Sequence, residues 1–194
     1  MASGFKYDLK PMEDNMPEMC RFDTVYRYSG GFNLVTTNLS GVLPPLCPLA
    51  LDFKTRKATP IFNVKVHKAI AANETALQIE KGSLVYVGMH LGNGTNGGTV
   101  TKIDKSKNGY DEVTLATSPT LVAKIGDVLF EAKATNGKEP KATANALNYA
   151  ATKVEEGATV TAIGQAFEIR PSKLIAPISE KDKASLGDRF MFTY

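Results

Sequence analysis

Ile125-Gly126-Asp127-Val128-Leu129-Phe130 and Glu156-Gly157-Ala158-Thr159-Val160-Thr161-Ala162-Ile163 are two readings of one phrase. Both lie within residues 121–169, and an earlier copy is Lys81-Gly82-Ser83-Leu84-Val85-Tyr86-Val87. Each time, a glycine and a small or polar residue open a short run of β-branched and aromatic residues. Glycine tolerates the positive φ of a tight turn, and the residues behind it suit a pleated, half-buried strand. Turn followed by strand, repeated with no long helix between, is the pattern of a small barrel or sandwich. The stretch specifies a β scaffold and carries no catalytic signature.

Working outward, 194 residues allow one medium domain plus an arm, or two small domains. Apolar residues make up 43% and charged residues 22%, enough for a core and too apolar for disorder throughout. With 23 Lys+Arg against 20 Asp+Glu, the net charge of +3 gives no case for nucleic acid as a partner. The longest apolar runs fall far short of a membrane span, so no membrane partner is expected either. The N-terminus, Met1-Ala2-Ser3-Gly4-Phe5-Lys6-Tyr7-Asp8, lacks the apolar core of a secretory signal, and synthesis in a cytosol is expected. Cys20 and Cys47 have no zinc spacing; they could form one disulfide, and free thiols are the expectation in a reducing cytosol.

Residues 1–40 read differently from the rest. Pro11-Met12-Glu13-Asp14-Asn15-Met16-Pro17-Glu18-Met19 has no period, and its prolines discourage regular structure. Phe5, Tyr7, Met12, Met16, Met19, Phe22, Tyr26 and Tyr28 supply an apolar anchor every few residues, the composition of an extended arm that orders on a partner. A solubilising tail would not need them. The division into an arm, 1–40, and a β domain, 41–194, is placed before Leu43-Pro44-Pro45-Leu46-Cys47-Pro48-Leu49, a proline-stiffened lead-in.

Beyond it, Phe62, Val64 and Val66 alternate with Asn63, Lys65 and His67, one face buried and one wet. Leu77 and Ile79 alternate likewise. Residues 84–91, apolar on both faces, are expected as a central strand. Lys107-Asn108-Gly109-Tyr110 joins two more strands as a hairpin. Residues 142–154 are expected as a short helical turn and then a strand. The clear helix follows Ser179-Glu180-Lys181-Asp182, a capping box with Asp in place of Glu, and ends at Gly187; Phe190, Phe192 and Tyr194 then alternate as a last strand.

No residues present themselves for catalysis, for a cofactor or for a metal. The glycine-rich 92–98 lacks the Gly-Lys-Ser/Thr ending of a phosphate loop and opens no helix; it reads as a flexible surface loop. His67 and His90 have no partner cluster, and no nucleophile elbow is present. Lys133, in Ala-Lys-Ala after a strand, keeps open a biotinyl- or lipoyl-type carrier domain, although the loop after it is long for that hairpin. A bacterial surface or glycan-binding β module is the other alternative.

The order of parts resembles the auxiliary capsid proteins of tailed bacteriophages, the head decoration and head-fibre proteins, especially of phages of Bacteroides-type hosts. The phrases that carry the resemblance are Leu43-Pro44-Pro45-Leu46-Cys47-Pro48-Leu49, then Lys81-Gly82-Ser83-Leu84-Val85-Tyr86-Val87-Gly88. Ala146-Leu147-Asn148-Tyr149 leading to Val160-Thr161-Ala162-Ile163-Gly164 follows, and Leu174-Ile175-Ala176-Pro177-Ile178-Ser179 closes ahead of the short helix. The resemblance implies a mainly β fold, a small β-barrel or β-tulip-like domain with a short C-terminal helix and the extended N-terminal arm. It implies a non-enzymatic virion protein, often a homotrimer, on the outer capsid surface. The partners it implies are the major capsid protein, through the arm, and a further head-fibre chain. The long arm departs from the smallest decoration proteins.

Overall fold

Turn residues and alternating apolar runs do build strands throughout. The computed structural model describes residues 19–116 and 119–193. In chain order come β1 (Arg21–Arg27), β2 (Phe32–Leu34), β3 (Val42–Leu43), β4 (Pro48–Asp52), β5 (Lys57–Pro60), β6 (Asn63–Lys65), β7 (Ala76–Glu80) and β8 (His90–Gly92). They are followed by β9 (Gly97–Asp104), β10 (Tyr110–Leu115), β11 (Val128–Glu131), β12 (Ala146–Asn148), β13 (Thr152–Lys153), β14 (Thr159–Val160) and β15 (Ala162–Ile169). Helix α1 (Glu180–Leu186) precedes the last strand, β16 (Phe190–Phe192).

Two curled, half-barrel sheets share most of these strands. One runs β6-β11-β8-β9-β10-β7, and its outer strands meet where Val66 bridges Ile79 and the His67 N–H donates to Gln78 O at 2.8 Å. Drawing the outer strands together removes the exposed edges that invite stray pairing. Its inward residues, Val64, Leu77, Ile79, Leu91, Val113 and Leu129 among them, fill the lumen. The alternation seen at 77 and 79 is therefore the barrel's inside face.

The other sheet runs β1-β15-β12-β4-β5-β2-β14, with β16 parallel to β15. It carries a buried apolar cluster on each face, though β1 at its edge is largely exposed. Ile163, Ile169, Leu186 and Phe190 form one cluster, beneath α1, while Phe32, Leu49, Ala58 and Val160 form the other. Helix α1 is held by its cap: Ser179 Oγ accepts from the Asp182 N–H at 3.2 Å, and the Asp182 carboxylate accepts from the Ser179 N–H at 3.1 Å. Gly187 ends it at φ 63°, as its position suggests.

Several expectations need correction. Residues 84–91 are not a central strand; only His90 and Leu91 of them lie in one. Gly88, at φ 92°, turns the chain, Val85 and Met89 go inward, and Val87 stays exposed. Residues 142–154 contain no helical turn. Asn145 instead pairs its side-chain amide with both Leu51 N–H and Leu51 O (2.8 and 2.9 Å), imitating a ladder partner, and β12 is then gripped between β4 and β15. Tertiary pairing overrides the alanines' helix preference. Asn63, assigned to a wet face, is buried because its amide donates to Pro177 O and to the Asp182 carboxylate.

Candidate docking surface

The described part of the stretch assigned to the arm, residues 19–40, carries β1 and β2. β1 pairs antiparallel with β15 through Arg21↔Phe167, Tyr26↔Gln165 and Arg27↔Ile163, with irregularities on both sides of Tyr26. Thr24 explains one of them: its hydroxyl donates to Arg21 O at 2.7 Å and accepts from the Phe167 N–H at 3.0 Å, replacing a ladder bond. On its far side β1 has no neighbouring strand among the described residues.

Aromatic rings continue the surface from β1. Tyr26 meets Tyr28 edge to face at 5.9 Å, Tyr28 meets Phe53 at 5.1 Å, and Phe53 meets the buried Phe32 at 5.6 Å. Such pairs contribute about 0.5–1.5 kcal/mol each beyond their buried area. Tyr28 lies across β15 at Gly164, where a Cβ would come within 2.6 Å of the ring, so the glycine makes its seat. Phe22, Tyr26 and Phe53 remain 53, 60 and 49% exposed. That is a heavy exposure of large apolar side chains along one margin, the kind of surface that marks an interaction site.

The turn that delivers Phe53 is built from Asp52. Its carboxylate accepts from the N–H of Lys54 (2.9 Å) and of Thr55 (3.1 Å) and from the Thr55 hydroxyl (2.6 Å). Those bonds, the Thr55 hydroxyl first, hold the carboxyl below its ordinary range. Arg56 completes the turn at φ 55° and lies over the Phe32 ring at 3.9 Å. Its guanidinium donates to the carbonyls of Ser29 (2.6 Å), Gly30 and Gly31 (3.0 Å), pinning the turn that leads into β2. Glu168, beside Arg21, also sits at positive φ, 54°. Left-handed backbone at ordinary residues costs on the order of 1–3 kcal/mol and tends to collect at functional surfaces.

Of the anchors expected from sequence, Phe5, Tyr7, Met12 and Met16 lie outside the described residues. Met19 packs half-buried against the cluster beneath α1. Tyr28 is built into the sheet, and its hydroxyl accepts from Arg189 at 3.2 Å. Phe22 and Tyr26 are the two that project. Sequence reasoning missed Phe53 and Arg56; the Asp52-x-x-Thr55 pattern of a side-chain-capped turn was the signal for them.

The remaining polar clusters are tied up internally. Glu131 is buried, accepts from Tyr86 Oη and lies 2.6 Å from Lys141 Nζ, which is 3.1 Å from that same hydroxyl. The hydrogen bond to Glu131 raises Lys141 above its ordinary value, and burial raises Tyr86. Lys81 Nζ donates to Lys105 O at 2.7 Å and stands 3.4 Å from the buried Asp111 carboxylate, clamping the β9–β10 hairpin. His67 stacks on Tyr110 at 5.5 Å, and His90 Nδ1 meets Thr99 Oγ1 at 2.8 Å. Lys133 is exposed just beyond β11, its N–H bonded to Glu139 O. Cys20 and Cys47 are buried and not joined to each other, and burial pushes the Cys47 thiol far up.

The glycine-rich 92–98 is not a flexible loop. A Cβ on Gly92 would lie 2.4 Å from Gly137 O, and one on Gly97 would lie 2.6 Å from Gly137 N. These glycines let two backbones touch, and the Gly94 N–H donates to Gly137 O at 2.9 Å.

Comparison with known proteins gives one match. The family described as head fiber protein, of phage heads, matches residues 30–192, well over half of the chain. No curated protein and no solved structure matches.

Proposed function

The chain belongs to the phage head fiber protein family, and from that premise we propose that it is a non-enzymatic structural protein of the outer head surface, where it decorates and stabilises the shell or anchors a head fibre on it. The observation that carries this reading is the family match over nearly all of the strand-forming chain. Supporting it, the titratable side chains one would ask to do chemistry are engaged in bracing: Glu131 with Lys141, Asp111 with Lys81, Asp182 with the α1 cap. A doubly layered β body with its acids and bases spent internally suits a load-carrying ornament.

The major capsid protein is the partner in this reading, and the exposed Phe22 and Tyr26 are its anchors, with the residues before β1 extending the contact. Buried aromatic anchors dominate the energy of most interfaces. The copies assemble as a homotrimer, since weak contacts repeated by symmetry offset the entropy of ordering a docking segment. Electron microscopy of particles with and without the gene tests the proposal. Density for this fold on the outer head surface, missing from the deletion, is the expected result. Complete particles that keep all their surface density overturn it, as does density confined to the tail.

A further inference from the structure

Arginine and lysine are segregated in this protein. The chain has five arginines, Arg21, Arg27, Arg56, Arg170 and Arg189; the barrel-forming span, residues 63–131, has seven lysines and none. Every arginine touches residues 19–31. Arg21 and Arg27 lie on β1. Arg56 donates to the carbonyls of Ser29–Gly31, the Arg170 N–H to Met19 O at 2.9 Å, and Arg189 to Tyr28 Oη. Three of the seven barrel lysines, Lys65, Lys81 and Lys107, have a carboxylate within 4 Å, and Arg21 has Asp23 and Glu168. Among the described residues, Arg27, Arg56, Arg170 and Arg189 have none.

Guanidinium groups are weakly hydrated, stack on rings and bind carboxylates in a fork, whereas ammonium groups hold their water. Arginine and tyrosine are accordingly enriched where proteins meet, and lysine is depleted there. We propose that the β1 margin, with Phe22, Tyr26, Phe53 and the surrounding arginines, is the shell-facing edge, that the lysine-covered barrel faces solvent, and that the bound partner is an extended, carboxylate-bearing segment of a shell subunit laid along β1.

Three observations select that occupant. β1 has no neighbour on its far side among the described residues, so its main chain offers a strand to add to. Four of the five arginines have no carboxylate partner among the described residues, so the matching segment supplies carboxylates. A second copy is disfavoured, because antiparallel self-pairing of β1 about Thr24 sets Arg21 opposite Arg27, a like-charge cross-strand pair. The inference rests on the shell-protein reading above and adds its orientation and the chemistry of the contact.

The test is co-sedimentation of the full chain with heads lacking it. Tyr26→Ser, Phe53→Ser and Arg27→Glu are compared with barrel controls Lys102→Glu and Lys124→Glu, each first shown to melt with the wild type. The expected result is at least about a tenfold loss of binding for the margin variants, one tenfold step being about 1.4 kcal/mol, and less than about twofold for the barrel variants. Raising salt from about 50 to about 300 mM should also weaken wild-type binding, because exposed charges are screened over shorter distances. The inference is overturned if the barrel variants lose binding and the margin variants keep it. It is equally overturned if the margin variants abolish self-association of the free protein, which makes the margin an interface between copies. A wild-type protein that never sediments with heads strikes the shell-protein reading itself, a result separable from both.

Discussion

Replacing Asp182 by alanine should be the most damaging single change near α1. The carboxylate is 2% exposed and accepts from Asn63 Nδ2 (2.7 Å), the Ser179 N–H (3.1 Å) and the Ser179 hydroxyl (2.6 Å). No lysine or arginine pairs with it among the described residues, so these neutral donors compensate its burial. Alanine leaves the Ser179 N–H unsatisfied in a buried place, at a cost of about 1–3 kcal/mol. It also takes the acceptor from the Ser179 hydroxyl, a further loss of about 1 kcal/mol. Asn63 keeps its bond to Pro177 O at 2.9 Å and softens the loss. The sum is about 2–4 kcal/mol, which for a chain of this size lowers Tm by about 4–16 °C. Asp182→Asn keeps the shape but turns a second amide toward Asn63, and should lose about half as much. Thermal unfolding followed by circular dichroism reads both, with Glu180→Ala, an exposed first-turn residue, as control. A Tm for Asp182→Ala within about 2 °C of that control would show that the cap does not tie α1 to the barrel.

Gly137→Ala should destabilise far more than Gly109→Ala by urea titration: its Cβ would sit 2.1 Å from Asn96 O, whereas the space around Gly109 is open, though both have positive φ. Comparable midpoints would mean that the backbone crossing yields freely. Lys141 and Tyr86 both titrate above their ordinary values in the fold. The stability they contribute is therefore full below those ordinary values, 10.5 and 10.0, and drains as pH climbs through the raised ones. A Tyr86→Phe, Lys141→Met double variant should show a shallower alkaline loss of Tm than the wild type, and parallel curves would refute the coupling. Cys47 should resist a thiol reagent in native buffer and react only on unfolding; a fast native reaction at Cys47 contradicts its burial.

The elements written by local rules were the legible ones. Leu77 and Ile79, the hairpin around Asn108-Gly109 and the box at Ser179 follow rules that act within a few residues, and the structure has all three. Where the deciding partner is distant, the sequence is silent. Nothing local says that Asn145 will copy a strand edge for Leu51, or that Asp182 will draw Asn63 inward. The 84–91 run was misread because apolar content hides a turn, although Gly88 was there to be weighed. For the docking margin, Tyr26 and Phe22 stood out as anchors. Phe53 and Arg56 had only the turn signal of Asp52 and Thr55, because they come beside those anchors only when β5 pairs with β2.

The contact of Gly92 and Gly97 with Gly137 also sets where this protein tolerates added sequence. At that crossing two main chains lie closer than any side chain allows, so residues 93–96 and 134–137 are closed to insertion: one extra residue shifts a glycine out of line and forces the strands apart. The neighbouring hairpin tip is the opposite case. Gly109 meets nothing within 4 Å, and Lys81 grips the carbonyls of Lys105 and Lys107 from behind, so a peptide spliced between Asn108 and Gly109 leaves the grip intact. Cargo there would project from the lysine-rich barrel, on the lobe opposite in character to the arginine margin. One end of β9 is thus closed to change and the other open to it.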